Sequence, residues 1–260
     1  MTESSKPVSS AANPAIKRLK SLAAKKYRDE EGVFLVEGLR HIKDGLAGGF
    51  TLDTLAWSPR GGTDTASMAK QAKGECLLVT DDLLLRITGR DNTQPIIAAF
   101  RQKFIDANDI NAGLWVGLEG IRDPGNLGTI IRTADAVKAE GILLLGDTCD
   151  PWSPEAVRGS MGSFSRVKIA RLPASDFSGW RKAYKGRVVG THLQTTTDYR
   201  KADYSRPLLL LMGSEATGLS DGLAKACDTL VKIPMAGGAE SLNLAVSTGV
   251  MLYEISRNTI

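Results

Sequence analysis

The sequence predicts an α/β protein, a mostly parallel sheet preceded by a smaller α/β part. Three observations carry that expectation. Short apolar runs alternate with helical stretches along the chain, the pattern of strands joined by crossover helices. The run Leu208–Met212 is apolar at every position, so both of its faces need cover, as in the middle of a parallel sheet. Three glycine-containing loops, 123–128, 213–218 and 233–243, each follow such a run. In a doubly wound sheet, loops at the carboxyl ends of strands form the ligand crevice.

The elements follow in order. Residues 1–12 are polar and read as a flexible leader without the apolar core of a signal peptide. Asn13-Pro14 opens a helix, with Pro14 at its first position. Ile16, Leu19 and Leu22 share one face, and Lys17, Arg18, Lys20, Lys25, Lys26 and Arg28 fill much of the rest. The acids Asp29, Glu30 and Glu31 come only afterwards. A helix this basic is expected to contact the phosphates of a polyanion. Residues 33–36 read as a buried strand, 37–47 as a helix, 52–57 and 77–79 as strands flanking a weak helix at 63–73, and 95–100 as another strand. This gives a first module over 13–105, with the polar stretch 106–113 as linker.

The second module, 114–260, opens with strand 114–118. A loop containing Pro124, Gly125 and Gly128 leads into a helix that buries Ile130, Ile131, Ala134 and Val137. Strands are expected at 142–145, 166–169, 188–191, 208–212 and 230–233. Helices are expected from 151 to 158, from 176 to 185 and, briefly, before Leu230. A last helix runs from Leu242 to about Arg257, with Ser241 as its N-cap because a serine hydroxyl accepts a free N–H of the first turn.

Composition narrows the function classes. The 260 residues carry a net charge of +4, which permits a polyanionic partner. Cys76, Cys149 and Cys227 are widely spaced and form no Cys-x-x-Cys or Cys/His array. That pattern opposes a disulfide framework and a structural zinc site and fits a reducing compartment. No apolar run reaches membrane-spanning length, so a cytoplasmic protein without a membrane partner is expected. None of the loops is a dinucleotide fingerprint, a phosphate-binding P-loop or a nucleophile elbow. His41 and His192 are the only histidines. The loops offer Asn126, Arg132, Glu215, Ser241 and Asn243, a polar set without metal-ligand character. Arg132 is the electrostatic actor in that set, and Glu215 could orient it bidentately.

The stretches DPGNLGTIIRTADA, LLMGSEATGLS and IPMAGGAESLNLAV together resemble, in order and spacing, the three motifs of the SpoU (TrmH-like) branch of the SPOUT RNA methyltransferases. The match covers Leu114 to Arg257. NPAIKRLKSL and FLVEGLRHI resemble, more loosely, the L30e-like substrate-binding domain that precedes the catalytic domain in many members acting on ribosomal RNA. The resemblance implies a SPOUT sheet with a deep C-terminal trefoil knot, against the default of unknotted chains. It implies a homodimer joined at the C-terminal helix. It implies S-adenosyl-L-methionine as cofactor, held around Thr191, Leu211, Gly213, Ile233, Met235 and Leu242. Arg132 matches the family's catalytic arginine in 2′-O-ribose methylation, and Asn126, Glu215, Ser241 and Asn243 match the other motif residues. Lys17, Arg18, Lys25, Lys26 and Arg28 become RNA contacts. Two alternatives stay open, a tRNA 2′-O-methyltransferase and a catalytically silent RNA-binding assembly factor. The second motif reads Glu-Ala-Thr-Gly where members often have Glu-Gly-x-Gly, so Ala216 stiffens that turn.

Overall fold

The computed structural model describes residues 7–259. The first six residues of the expected leader lie outside that range. The rest of the leader is tied down at Val8, whose N–H donates to Leu78 O (2.8 Å) and whose carbonyl accepts from Thr80 N (3.2 Å). The chain divides into two compact units, one of residues 1–103 with 152–165, the other of 104–151 with 166–260.

The first unit contains helices α1 (Pro14–Ser21), α2 (Lys25–Glu31), α3 (Leu39–Ala47), α4 (Gly62–Gln71) and α5 (Asp81–Thr88). Its strands are β1 (Val33–Glu37), β2 (Leu52–Trp57), β3 (Glu75–Leu78) and β4 (Ile96–Arg101). The strands form one sheet in the order β1-β4-β2-β3, antiparallel except for the β2–β3 pair. Side chains alternate between faces along a strand. On one face Val33, Leu35, Ile97 and Ala99 therefore pack with Ile16, Leu19 and Leu22 of the N-terminal region and Leu83, Leu84 and Ile87 of α5. On the other face Phe34 and Phe100 meet Phe50, Trp152 and Phe164, with the Phe34 and Trp152 ring centroids 4.5 Å apart. Trp152 and Phe164 thus explain why 152–165 belongs with this unit and not with the second module where the sequence places it.

The single basic helix expected from Asn13 onward is two helices. Asn13 caps α1 through a 2.9 Å bond from Ala15 N, and α1 ends at Ser21. The Arg28 guanidinium then donates to the carbonyls of Leu22 and Ala23, both at 2.8 Å. Carbonyls freed at a helix end need such a donor. Helix α5 had no counterpart in the sequence reading.

The second unit carries, in order, β5 (Leu114–Glu119), α6 (Pro124–Ala136), β6 (Gly141–Leu145), β7 (Lys168–Leu172), α8 (Phe177–Ala183), β8 (Arg187–Thr191), β9 (Leu208–Met212), α9 (Asp221–Ala226), β10 (Thr229–Val231) and α10 (Leu244–Ser256). Helix α7 (Pro154–Gly159) falls in the segment that joins the first unit. The six strands are all parallel, in the order β10-β8-β9-β5-β6-β7. Trp115, Leu143, Leu145, Val188, Leu209 and Leu211 form one inner layer, covered by Phe177 and Trp180 of α8 and by Leu219 and Leu223. Helices α6 and α10 pack against each other. Strand β9 is buried at every position, as its uninterrupted apolar run requires. The expected linker 106–113 is instead folded onto this unit. Ile105 bridges to Ala170, and the Trp180 indole donates to Ala107 O at 2.8 Å. Its polar composition hid Ala107 and Ile110, which are buried.

Candidate active site

Strand order reverses at β5, which has β6 on one side and β9 on the other. A reversal of this kind opens a crevice outside the carboxyl ends of the two central strands. The loops leaving β5 and β9 line a cleft of about 620 Å³ there. Its walls come from residues 119–126 and 214–220 and include Asn126 and Glu215.

Local chemistry fixes each wall. Asp123 caps α6, its Oδ1 accepting from Asn126 N at 2.6 Å, and Pro124 fits the first helical position. After β9 the chain doubles back, so that Ser214 N donates to Gly218 O (3.2 Å) and Gly218 N to Ser214 O (3.0 Å). A Cβ on Gly213 would stand 1.9 Å from the Gly218 carbonyl carbon, so only glycine fits there. Glu119 ties the two loops together by accepting from Ser220 N at 2.8 Å.

A directional chain of side-chain hydrogen bonds crosses the site. Asn243 is the N-cap of α10, and its Oδ1 accepts from Ala245 N (2.9 Å) and Val246 N (3.2 Å). The other end of that amide, Nδ2, donates to Asn126 Oδ1 at 3.1 Å. Asn126 Nδ2 then donates to Glu215 Oε1 at 2.9 Å. A carboxylate can only accept, and each amide has one donor end and one acceptor end. The helix cap therefore sets the orientation of all three groups. Three residues from loops 89 and 117 positions apart meet here.

Two expectations need correction. The cap of α10 is Asn243, not Ser241, because the helix starts two residues later than the apolar spacing suggests. Ser241 is exposed and stands outside the bonded chain. Among the described residues no ion pair joins Arg132 to Glu215, because Glu215 is engaged by Asn126 instead. Arg132 lies six residues further along α6, a rise of about 9 Å from Asn126. It is exposed, and its guanidinium makes no ion pair among the described residues.

The six residues expected around a cofactor do not line the cleft. Thr191 closes β8, pairs with Val231 and donates through Oγ1 to Met212 Sδ at 3.6 Å. Leu211 pairs with Gly190 and is fully buried, so its side chain is core and only its position marks the strand end. Gly213 makes the tight turn described above. Ile233 and Met235 are half-buried and Leu242 is exposed, in the segment between β10 and α10. Thr191, Leu211 and the start of the 232–243 loop thus share the carboxyl edge of β10-β8-β9. Cys149 lies on the acid side of the site. Burial first, and then Asp123, Asp150 and Glu215, push its thiol up to about 12.

The five basic residues assigned to RNA in the first unit fare unequally. Arg28 is 3% exposed and is spent on the α1–α2 junction. Arg18 is held by Glu31 (2.5 Å) and Asp53 (2.7 Å). Both are held by partners within the unit, which helical charge counting cannot detect. Lys25 pairs with Asp29, and Lys26 lies 3.9 Å from Glu30. Lys17 is exposed. The sequence reading also passed over Glu119 and Asp123. Their signal was position, since each acid stands at the end of a strand or one residue before a proline-opened helix.

A parallel α/β unit with a polar, glycine-walled cleft at its strand-order reversal is a ligand-binding enzyme fold of the doubly wound class. Residues 113–253 match the model of the SpoU rRNA Methylase family, and residues 13–98 match that of the MRM3-like substrate binding domain. The chain belongs to the SpoU rRNA methylase family. It is similar to the AdoMet-bound rRNA methyltransferase from Sinorhizobium meliloti, with a TM-score of 0.92, 43% identity and 98% of each chain covered. It is similar to the SpoU methyltransferase AviRb from Streptomyces viridochromogenes in complex with AdoMet, with a TM-score of 0.85, 30% identity, and 94% of this chain and 97% of that one covered. The 23S rRNA (guanosine(2553)-2′-O)-methyltransferase RlmP of Bacillus subtilis is 28% identical, over 96% of this chain and 99% of its own.

Proposed function

We propose that this protein is an S-adenosylmethionine-dependent RNA methyltransferase acting on a ribose 2′-hydroxyl, with ribosomal RNA as substrate. The observation that carries the proposal is the Asn243–Asn126–Glu215 chain, which gathers residues from all three motif loops at the crevice. The names of the relatives, which act on ribosomal RNA, favour it over tRNA. The intact chain favours it over a silent binding protein.

The carboxyl edge of β10-β8-β9 fits the cofactor. Its six candidate residues are uncharged, and the Gly213 turn brings main-chain groups close without a side chain between them. Such an edge suits adenine held by shape and backbone hydrogen bonds. When bound, S-adenosylmethionine supplies a methyl group on a cationic sulfur. The 2′-oxygen is a weak nucleophile, so charge developing on it must be stabilised. Arg132, exposed and without an ion pair among the described residues, does this as an electrostatic partner. A guanidinium keeps its charge in proteins, so this side chain stabilises the oxygen and the hydroxyl proton leaves to solvent. Asn126 and Glu215 form the fixed wall against which the ribose is oriented, and alignment of the two substrates supplies much of the rate.

The remaining expectations complete the proposal. The unit of residues 1–103 with 152–165 is the substrate-binding domain, L30e-like, and that of 104–151 with 166–260 is the catalytic domain. The C-terminal segment is knotted. Lys232 N donates to Thr197 O (2.9 Å) and Tyr199 N to Lys232 O (3.0 Å), while β10 pairs with β8 on its other side. The 192–199 loop therefore brackets the returning chain, which supports a threaded path. The protein acts as a cytoplasmic homodimer. Leu242, Val246 and Tyr253 are exposed apolar residues, the last two seven positions apart on α10, which is the spacing of one helix face. Light scattering on Val246→Asp should read half the wild-type mass.

The test is transfer of labelled methyl to ribosomal RNA from cells lacking the gene. Label on a ribose is expected. Label on a base, or none, would remove the proposal.

A further inference from the structure

We propose that Arg122, a residue outside the motif set above, positions the RNA backbone at the cleft by exchanging Asp147 for a phosphate. The inference rests on the reading of the cleft as an RNA site. Arg122 is the one cation among the residues lining it. The lining carboxylates are already engaged, Glu119 by Ser220 N, Asp123 by Asn126 N and Glu215 by the Asn126 amide. Among the described residues Arg122 bonds only Asp147, at 2.7 Å, and both side chains are open to solvent, 68% and 82% exposed. An exposed pair of this kind contributes little to stability. A guanidinium also meets a phosphate through two parallel hydrogen bonds. The pair is therefore a resting place for the arginine and not a latch.

The surrounding backbone shows that a latch is not needed. Cys149 N donates to Ile121 O at 2.7 Å, and Gly120 N to Leu145 O at 3.1 Å. These bonds join the chain just before Arg122 to the chain on either side of Asp147. Arg122 can turn toward the cleft without releasing either loop. Asp147 in turn keeps the free arginine off other anions and sets a threshold that RNA must exceed.

The exchange gives the two side chains opposite effects, which a structural salt bridge would not. Binding of ribosomal RNA from cells lacking the gene is measured by filter retention across a salt series. Arg122→Ala should weaken binding about five- to tenfold and lower the slope of log K against log salt by about 0.7, the loss of one phosphate contact to a single strand. Asp147→Asn should tighten binding about two- to threefold, with the loss in Arg122→Ala appearing in KM more than in kcat. Arg122→Lys should keep the salt slope and lose part of the affinity. Equal weakening by Arg122→Ala and Asp147→Asn, or an unchanged salt slope in Arg122→Ala, overturns the proposal. If Arg122→Ala does not fold, the opposed effects of Asp147→Asn and Arg122→Lys decide it. Wild-type protein that neither binds nor methylates this RNA would instead count against the proposed function.

Discussion

Arginines of the two units carry the same charge and do different work. In the first unit Arg28 is buried under the α1–α2 junction, and Arg18 is fixed between Glu31 and Asp53. In the second unit, among the described residues, Arg132 is exposed without an ion pair, and Arg122 shares only a solvent-open contact with Asp147. Burial and partners decide which role an arginine takes. A buried guanidinium is stabilised only by fixed acceptors and cannot leave them for a ligand. An exposed one keeps its hydration and can exchange it for phosphate or for a developing alkoxide.

Single substitutions can break that contrast. The largest effect is expected at Arg132. Its replacement by alanine should lower the rate of methyl transfer about 10²–10³-fold, the usual cost of removing one preorganised group that meets developing charge. Cofactor binding by calorimetry should persist, and a loss there would mark Arg132 as structural. Arg28→Met should behave in the opposite way. It leaves the carbonyls of Leu22 and Ala23 without their donor and should destabilise the protein by about 2–4 kcal/mol in urea unfolding, with little change in transfer by the folded fraction. Stability within error of wild type would return Arg28 to the RNA surface.

A smaller effect sharpens the comparison through pH. Burial alone would raise the Asp53 carboxyl, but hydrogen bonds from Arg18 and Thr54 and the charges of Arg18 and Arg101 outweigh it and hold it below its usual range. A carboxyl depressed in the folded state adds stability above its unfolded pKa, about 4, and loses it as pH falls through the folded value. Acid unfolding should therefore begin below about pH 4. Asp53→Asn should flatten that part of the stability curve. An identical acid limb in the variant would show that the Arg18–Asp53 contact contributes nothing.

Much of the architecture was legible in the sequence because it rests on local pattern. Leu208–Met212 and Leu52–Trp57 are observed at the predicted limits, the first an apolar run closed by Pro207 and Gly213. Asn126, Glu215 and Asn243, which hydrogen bonds join in the structure, were legible as a group because each lies in or just after a loop that follows a strand. Boundaries were less legible. The basic stretch after Pro14 reads as one helix by charge, and the break at Leu22–Ala24 depends on Arg28 reaching back to cap it. Polar residues 106–113 read as linker, although Ala107 and Ile110 are buried.

What the sequence by itself determined is the α/β class, the parallel sheet and the loops that carry polar groups, since strand and helix periods and glycine positions act over a few residues. Only the tertiary structure decided which groups meet. Glu215 turns to Asn126 and not to Arg132, Asn243 and not Ser241 caps α10, and 152–165 joins the first unit through Trp152 and Phe164. The first and third of those choices are made by partners tens of residues away, and the second by where the helix starts against its neighbours. A hydrogen bond or an aromatic contact depends on distances of a few ångströms that no local spacing encodes.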